Sequence, residues 1–301
     1  MYLEHFRLEQ FPFSLVPNTD FYYNLPEHQK ALNVILIGLK NGEGFIKIIG
    51  EVGTGKTLLC RKVLNALNQD YFTAYIPIPD LKPTDFKLLL AKELGIEVEQ
   101  GERAGFVLDK LQKRLIELNK QGKKVVVIID EAQTMSDDSL ETLRLLSNLE
   151  AESYKLIHIL LFAQPELDMR LQQQHLRQLQ QRITFSHHLK TLTFAEMNEY
   201  VRFRVVKSGN FQYNLFSKAC MRLLYKYSDG IPRMINTLCH KSLLSAYGRG
   251  VSCVQKKDML SAINDGKAVN LQIPMVYSIA CLSLTVGIVI LFMTDNFTFL
   301  K

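Results

Sequence analysis

The 301-residue chain has no tryptophan, no CxxC pair and no HxxxH or HxxEH pair. Its five cysteines, Cys60, Cys220, Cys239, Cys253 and Cys281, are odd in number and scattered. That excludes a disulfide framework and a cysteine-rich zinc module, and predicts reduced, buried thiols in a cytosolic protein. The seven histidines include the neighbours His187 and His188, but none has a companion at metal-ligand spacing. No helix carries a dense Lys/Arg stripe, and a net charge of +6 permits contact with anionic lipid or nucleic acid without requiring either. No stretch has the composition of a disordered tail, and no internal repeat is present. The opening MYLEHFRLEQ has two acidic residues and no apolar core, unlike a signal peptide.

What the chain does have is apolar content, 47% of residues, enough to fill one large or two modest domains. One apolar run stands apart. From Ile273 to Met293 there is no charged residue, and as a helix this stretch is about 31 Å long, close to the thickness of a bilayer core. A buried core helix of that length would show a polar stripe, which is missing here. Pro274 falls in the first turn, where its absent donor costs little. Lys256, Lys257 and Lys267 precede the run and only Lys301 follows it. The expectation is therefore a single-pass protein of the inner (cytoplasmic) membrane in contact with lipid, with residues before 273 in the cytoplasm and 294–301 as a short periplasmic tail.

Before that run, the pattern divides in two. Residues 1–42 begin irregularly, with Pro12, Pro17 and Pro26 as breakers, and end in a helix over 27–40. Residues 43–192 alternate apolar runs with amphipathic stretches. Strands are predicted at 45–49, 71–78, 125–129, 156–162 and 183–188, and helices at 56–68, 84–94, 106–120, 137–149 and 176–182. Val125-Val-Val-Ile-Ile129 has the β-branched continuity of a central parallel strand. This is the pattern of an α/β fold, a parallel sheet covered by helices on both faces. Residues 193–264 carry no strand signal and predict a small all-helical lid, opened by a capping box of Thr193 and Glu196. A polar linker, 265–272, follows.

Two motifs carry chemistry. Gly50-Glu51-Val52-Gly53-Thr54-Gly55-Lys56-Thr57 fits the P-loop pattern G-x-x-x-x-G-K-[ST], between a buried strand and a helix start. Glycines there let backbone N–H groups curl round a β-phosphate at the positive end of the helix that continues through Leu58. Lys56 can reach β- and γ-phosphates, and the Thr57 hydroxyl can ligate Mg²⁺. The second motif ends the 125–129 strand in Asp130-Glu131. Asp130 is placed for the Mg²⁺ shell, and Glu131 can accept a proton from water, which favours ATP hydrolysis over transfer to a hydroxyl. The plain alternative for Glu131 is an acid at a helix start.

GEVGTGKT, IIDEAQ, Gln164-Pro165-Glu166-Leu167, QRITFSHHL, GIPRMIN and the opening FRLEQFPFSLVPNTDFYY together resemble the membrane-anchored AAA+ ATPases of the ExeA/GspA group. Within it they look most like those of mannose-sensitive haemagglutinin (MSHA) pilus biogenesis. The likeness runs from Tyr2 to about Leu260. ExeA-type proteins continue into a periplasmic peptidoglycan-binding module, and this sequence ends at Lys301. The resemblance implies that Gln164 is sensor 1, Arg182 an arginine finger reaching a neighbour's γ-phosphate, and Arg233 sensor 2. It also implies homo-oligomers, membrane-protein partners in a pilus or secretion assembly, and an ATPase that drives that assembly. Arg177 competes with Arg182 for the finger. Two other readings stand beside this one: a nucleic-acid-associated AAA+ regulator, disfavoured by the missing basic stripe, and a nucleotide-gated scaffold with little turnover, disfavoured by Glu131, Gln164 and Arg182.

Overall fold

A computed structural model describes residues 2–14, 21, 23–99, 104–151, 154–211 and 215–265. The predicted linker beyond Asp265, the apolar run 273–293 and the tail 294–301 lie outside them. Among the described residues no helix is long and apolar enough to cross a membrane. This overturns the single-pass inner-membrane expectation and its transmembrane helix. That expectation rested wholly on 273–293; the described helices are amphipathic or packed on a core.

Chain contacts divide the described residues into two units. The first, 15–200 with 230–234, holds a five-stranded sheet. Its strands are β1 (Phe45–Gly50), β2 (Tyr71–Ile76), β3 (Lys124–Ile129), β6 (Ile157–Ala163) and β7 (Phe185–Leu189). A two-residue ribbon, β4 (Glu150–Ala151) with β5 (Tyr154–Lys155), precedes β6. All five strands are parallel, in the order β2-β3-β6-β1-β7. The α/β expectation holds, and each predicted strand is present.

Side-chain alternation along the strands explains the layers. Phe45 and Ile49 of β1, with Val125, Val127 and Ile129 of β3, face one core. That core is closed by α4 (Pro83–Glu93), α5 (Ala104–Lys120), α6 (Asp137–Leu146), α7 (Glu166–Leu171) and α8 (Arg177–Arg182). Ile46 and Ile48 of β1, with Val126 and Ile128 of β3, face the other, closed by α2 (Pro26–Lys40) and α3 (Lys56–Ala66). β3 and β6 are buried along nearly their whole length, as strands covered on both faces must be. One short helix, α7, was not foreseen.

The second unit takes in residues 2–14, 201–229 and 235–265 among those described. It is built from α1 (Tyr2–His5), the second half of α9 (Phe194–Lys207), α10 (Lys218–Ser228), most of α11 (Pro232–Gly248) and a last helix, α12, over 256–265. The opening residues pack into this helical unit. Glu9 donates its N–H to the Ser208 carbonyl at 2.7 Å, and Asn210 Nδ2 donates to the Phe6 carbonyl at 2.6 Å. The Tyr2 ring meets His240 edge-on. Arg249 clasps the fully buried Asp258 with two hydrogen bonds, 2.8 and 2.7 Å, tying α11 to α12. The expected capping box is formed at the start of α9. Thr193 N–H and Oγ1 both reach Glu196 Oε2 at 2.8 Å, and Glu196 N–H returns to Thr193 Oγ1 at 3.3 Å.

Candidate functional site

Strand order sets the site. β1, β6 and β3 are neighbours, and the residues that follow their C-terminal ends are the P-loop, Gln164 and Asp130-Glu131. Ligands of open parallel sheets bind at this edge, where successive loops diverge.

The P-loop turns through two left-handed glycines, Gly53 (φ +85°) and Gly55 (φ +96°), before α3 starts at Lys56. A side chain at either place would also strike a neighbour. A Cβ on Gly53 would lie 2.5 Å from Arg233 Cβ, and one on Gly55 would lie 2.8 Å from the His28 ring. Both neighbours grip the loop. His28 Nε2 hydrogen-bonds the Thr54 carbonyl at 2.8 Å, and the Arg233 N–H donates to the Gly53 carbonyl at 3.2 Å. Val52, by contrast, is half exposed at the loop's apex, as fits a residue that contributes only its backbone.

Lys56 is buried and donates to the carbonyls of Gly50 (2.9 Å) and Glu51 (3.2 Å). Burial pulls its ammonium below the ordinary lysine value, against the attraction of Glu131 and Asp130. Thr57 Oγ1 donates to Asp130 Oδ2 at 2.6 Å, which brings together the two oxygens expected from the sequence to face a metal. Burial holds the Asp130 carboxyl above the ordinary aspartate value, although Thr57 and the Glu131 N–H both donate to it.

Glu131 is one of three described non-glycine residues at positive φ (φ 53°, ψ 37°). A left-handed backbone at a non-glycine costs about 1–3 kcal/mol and persists only where the surroundings enforce it. Here they do. The Glu131 Oε2 accepts from Gln133 Nε2 at 2.6 Å and from Gln164 Nε2 at 3.0 Å. Burial pushes the carboxyl up, but those two amides and Lys56 outweigh it, and it rests below the ordinary glutamate value. The adjacent acids are thus pushed in opposite directions.

The structure therefore brings Gly50 to Lys56, Thr57, Asp130, Glu131, Gln164 and Arg233 together. Arg182 is elsewhere in its bonding: its Nη1 donates to Ser147 Oγ at 3.0 Å, at the end of α6. Arg177 is exposed at the start of α8. Sequence reasoning missed Gln133 and His28. A lone amide in a 3₁₀ turn and a lone histidine in a helix carry no spacing signal; only the fold brings them to the site.

Residues 39–171 match the family model described as AAA domain. The chain is 38% identical over 250 residues to "General secretion pathway protein A" of Aeromonas hydrophila, an alignment covering 83% of this chain and 46% of that protein. It thus spans about half the length of that relative. Among solved structures it is similar to the Aeropyrum pernix ORC1 protein in complex with DNA (TM-score 0.63, 18% identity, 85% of this chain and 69% of that one). Cdc6p from Pyrobaculum aerophilum (0.61, 18%, 82% and 70%) and a Walker-type ATPase of Pyrococcus abyssi (0.57, 17%, 87% and 78%) are similar too. At these identities the structural likeness establishes the fold, an AAA-type P-loop fold.

Proposed function

We propose that this AAA-fold chain hydrolyses ATP to ADP and phosphate with Mg²⁺, and uses the turnover to drive assembly of a cell-envelope machine. The likeness to a general secretion pathway protein supports a secretion apparatus; the resemblance in motif order supports an MSHA-type (type IV) pilus as the finer reading. One observation carries the chemistry: a carboxylate, Glu131, gripped by two amides beside the Thr57–Asp130 pair.

P-loop backbone N–H groups and Lys56 hold the phosphates, and Arg233, packed on Gly53, reads them. Thr57 and Asp130 offer two hard oxygens 2.6 Å apart, a donor set that suits Mg²⁺, which takes one or two protein oxygens and completes its shell with phosphate and water. The chemistry Mg²⁺ supplies when bound is neutralisation of charge on the β- and γ-phosphate oxygens. Glu131 takes the proton of the attacking water, and Gln164 orients that water. Arg182 spreads transition-state charge on a neighbouring subunit's phosphate, so the active form is a homo-oligomer. Membrane-protein components of the machine are the partners this reading implies.

The test is a pair of variants assayed for nucleotide binding and phosphate release. Lys56→Ala is expected to lose ATP binding. Glu131→Gln is expected to keep it and to lose turnover by about 10²–10⁴-fold, the usual contribution of a positioned base. Equal ATP affinity with undiminished phosphate release in Glu131→Gln would remove it as the base.

A further inference from the structure

We infer that Gln133 is a positioning residue that fixes the carboxylate of Glu131 for attack by water, a role that rests on the hydrolytic reading above. Gln133 lies in the 3₁₀ turn Ala132–Thr134, directly after Glu131 and half-buried. Its carboxamide is used at both ends. Oε1 accepts the backbone N–H of Gln164 at 3.0 Å, and Nε2 donates to Glu131 Oε2 at 2.6 Å. A backbone N–H can only donate, so the oxygen must face Gln164 and the NH₂ must face the carboxylate; the amide cannot flip without breaking both bonds.

The turn itself is pinned. Arg170 Nη1 donates to the Gln133 carbonyl at 2.8 Å, and the same guanidinium is bonded to Asp137. Asp137 also meets His175 Nε2 at 2.7 Å. Gln133 is therefore held by Arg170 of α7, itself tied to α6, and by Gln164 at the end of β6, and transmits that rigidity to one oxygen of Glu131. Gln164 grips the same oxygen. Both amides on Oε2 leave Oε1 to accept the water's proton. The charged groups acting on this carboxylate are Lys56 and Asp130, and neither gives direction to its oxygens as two hydrogen bonds do. Two donors plus a left-handed backbone fix the side chain at both ends, which is what a base needs to hold its geometry before substrate arrives.

Gln133→Met keeps the volume and removes both hydrogen bonds. In the full chain it is expected to lower kcat for ATP on the order of 10²-fold, the cost of a misplaced reacting group, with fluorescent-ATP affinity unchanged within about twofold. Placed on top of Glu131→Gln, the same substitution is expected to cost nothing further in single-turnover phosphate release, because no base remains to be positioned. A merely structural role would lower both backgrounds by the same factor, or lower affinity along with kcat, and either result overturns the inference. Lost turnover in Glu131→Gln beside unaffected Gln133→Met overturns the positioning role alone. Unchanged turnover in Glu131→Gln removes the base, and the positioning role with it.

Discussion

At the scale of single residues, the P-loop shows how little freedom a phosphate cradle leaves. Gly55 combines a left-handed backbone with an imidazole where a Cβ would go, so two independent costs meet any side chain placed there. Gly55→Ala is expected to lower stability by about 1–3 kcal/mol and to abolish the rise in Tm expected of the unsubstituted protein with ATP, read by thermal unfolding with and without nucleotide. A normal ATP-dependent shift in that variant would show that the loop tolerates a Cβ. Of the site's residues, those in the P-loop and at the end of β3 were readable beforehand, because their chemistry is tied to sequence spacing. Gln133 and Arg170 were not. Their partners are set by how β3, β6 and α7 dock, and an isolated amide or guanidinium in the sequence gives no hint of that.

At the scale of elements, capping and alternation explain most of the agreement between pattern and fold. The five strands were legible since each is a short β-branched or apolar run beside a helical stretch. The features that escaped are short: α7 has one and a half turns, and β4 and β5 have two residues each, too few to show a period. Likewise residues 2–14, broken by Pro12, gave no sign that they pack into the helical unit; the Glu9 N–H bonded to Ser208 and the Phe6 carbonyl bonded to the Asn210 side chain hold them there. The Thr193–Glu196 box was visible because it is purely local. Thr193→Ala removes the acceptor for Glu196 N–H and one donor to its carboxylate. The expected loss is about 1 kcal/mol of stability, measured by urea unfolding at unchanged m-value. No shift of the midpoint would mean that tertiary packing alone holds the start of α9.

At the scale of the whole molecule, the proposed sharing of hydrolysis between subunits turns on Arg182. In its own chain this arginine rests on Ser147, whose hydroxyl also donates to the Arg144 carbonyl at 2.7 Å. Removing the guanidinium therefore leaves Ser147 satisfied and the fold intact. Arg182→Ala is expected to bind ATP normally while turnover falls by roughly 10³-fold or more, the low end for arginine fingers acting in trans. Mixed with Lys56→Ala, which lacks bound ATP but keeps its arginine, some activity should return as intact fingers sit beside loaded sites. Failure to recover at any ratio, in mixtures shown to co-assemble, would confine Arg182 to its own chain.

The strand order has one more consequence, for how the protein comes into being. β6 lies between β1 and β3, yet it is made after both. In the finished sheet the strand leading into the P-loop and the strand leading into Asp130 are not neighbours; the place between them is filled by β6. Filling it joins segments far apart along the chain, a slow step in any parallel sheet. Nucleotide binding cannot ripen piecemeal here. On refolding from denaturant it should return together with the central sheet, in the same kinetic phase, and a chain cut before Ile157 should hold its P-loop without a site to put it in.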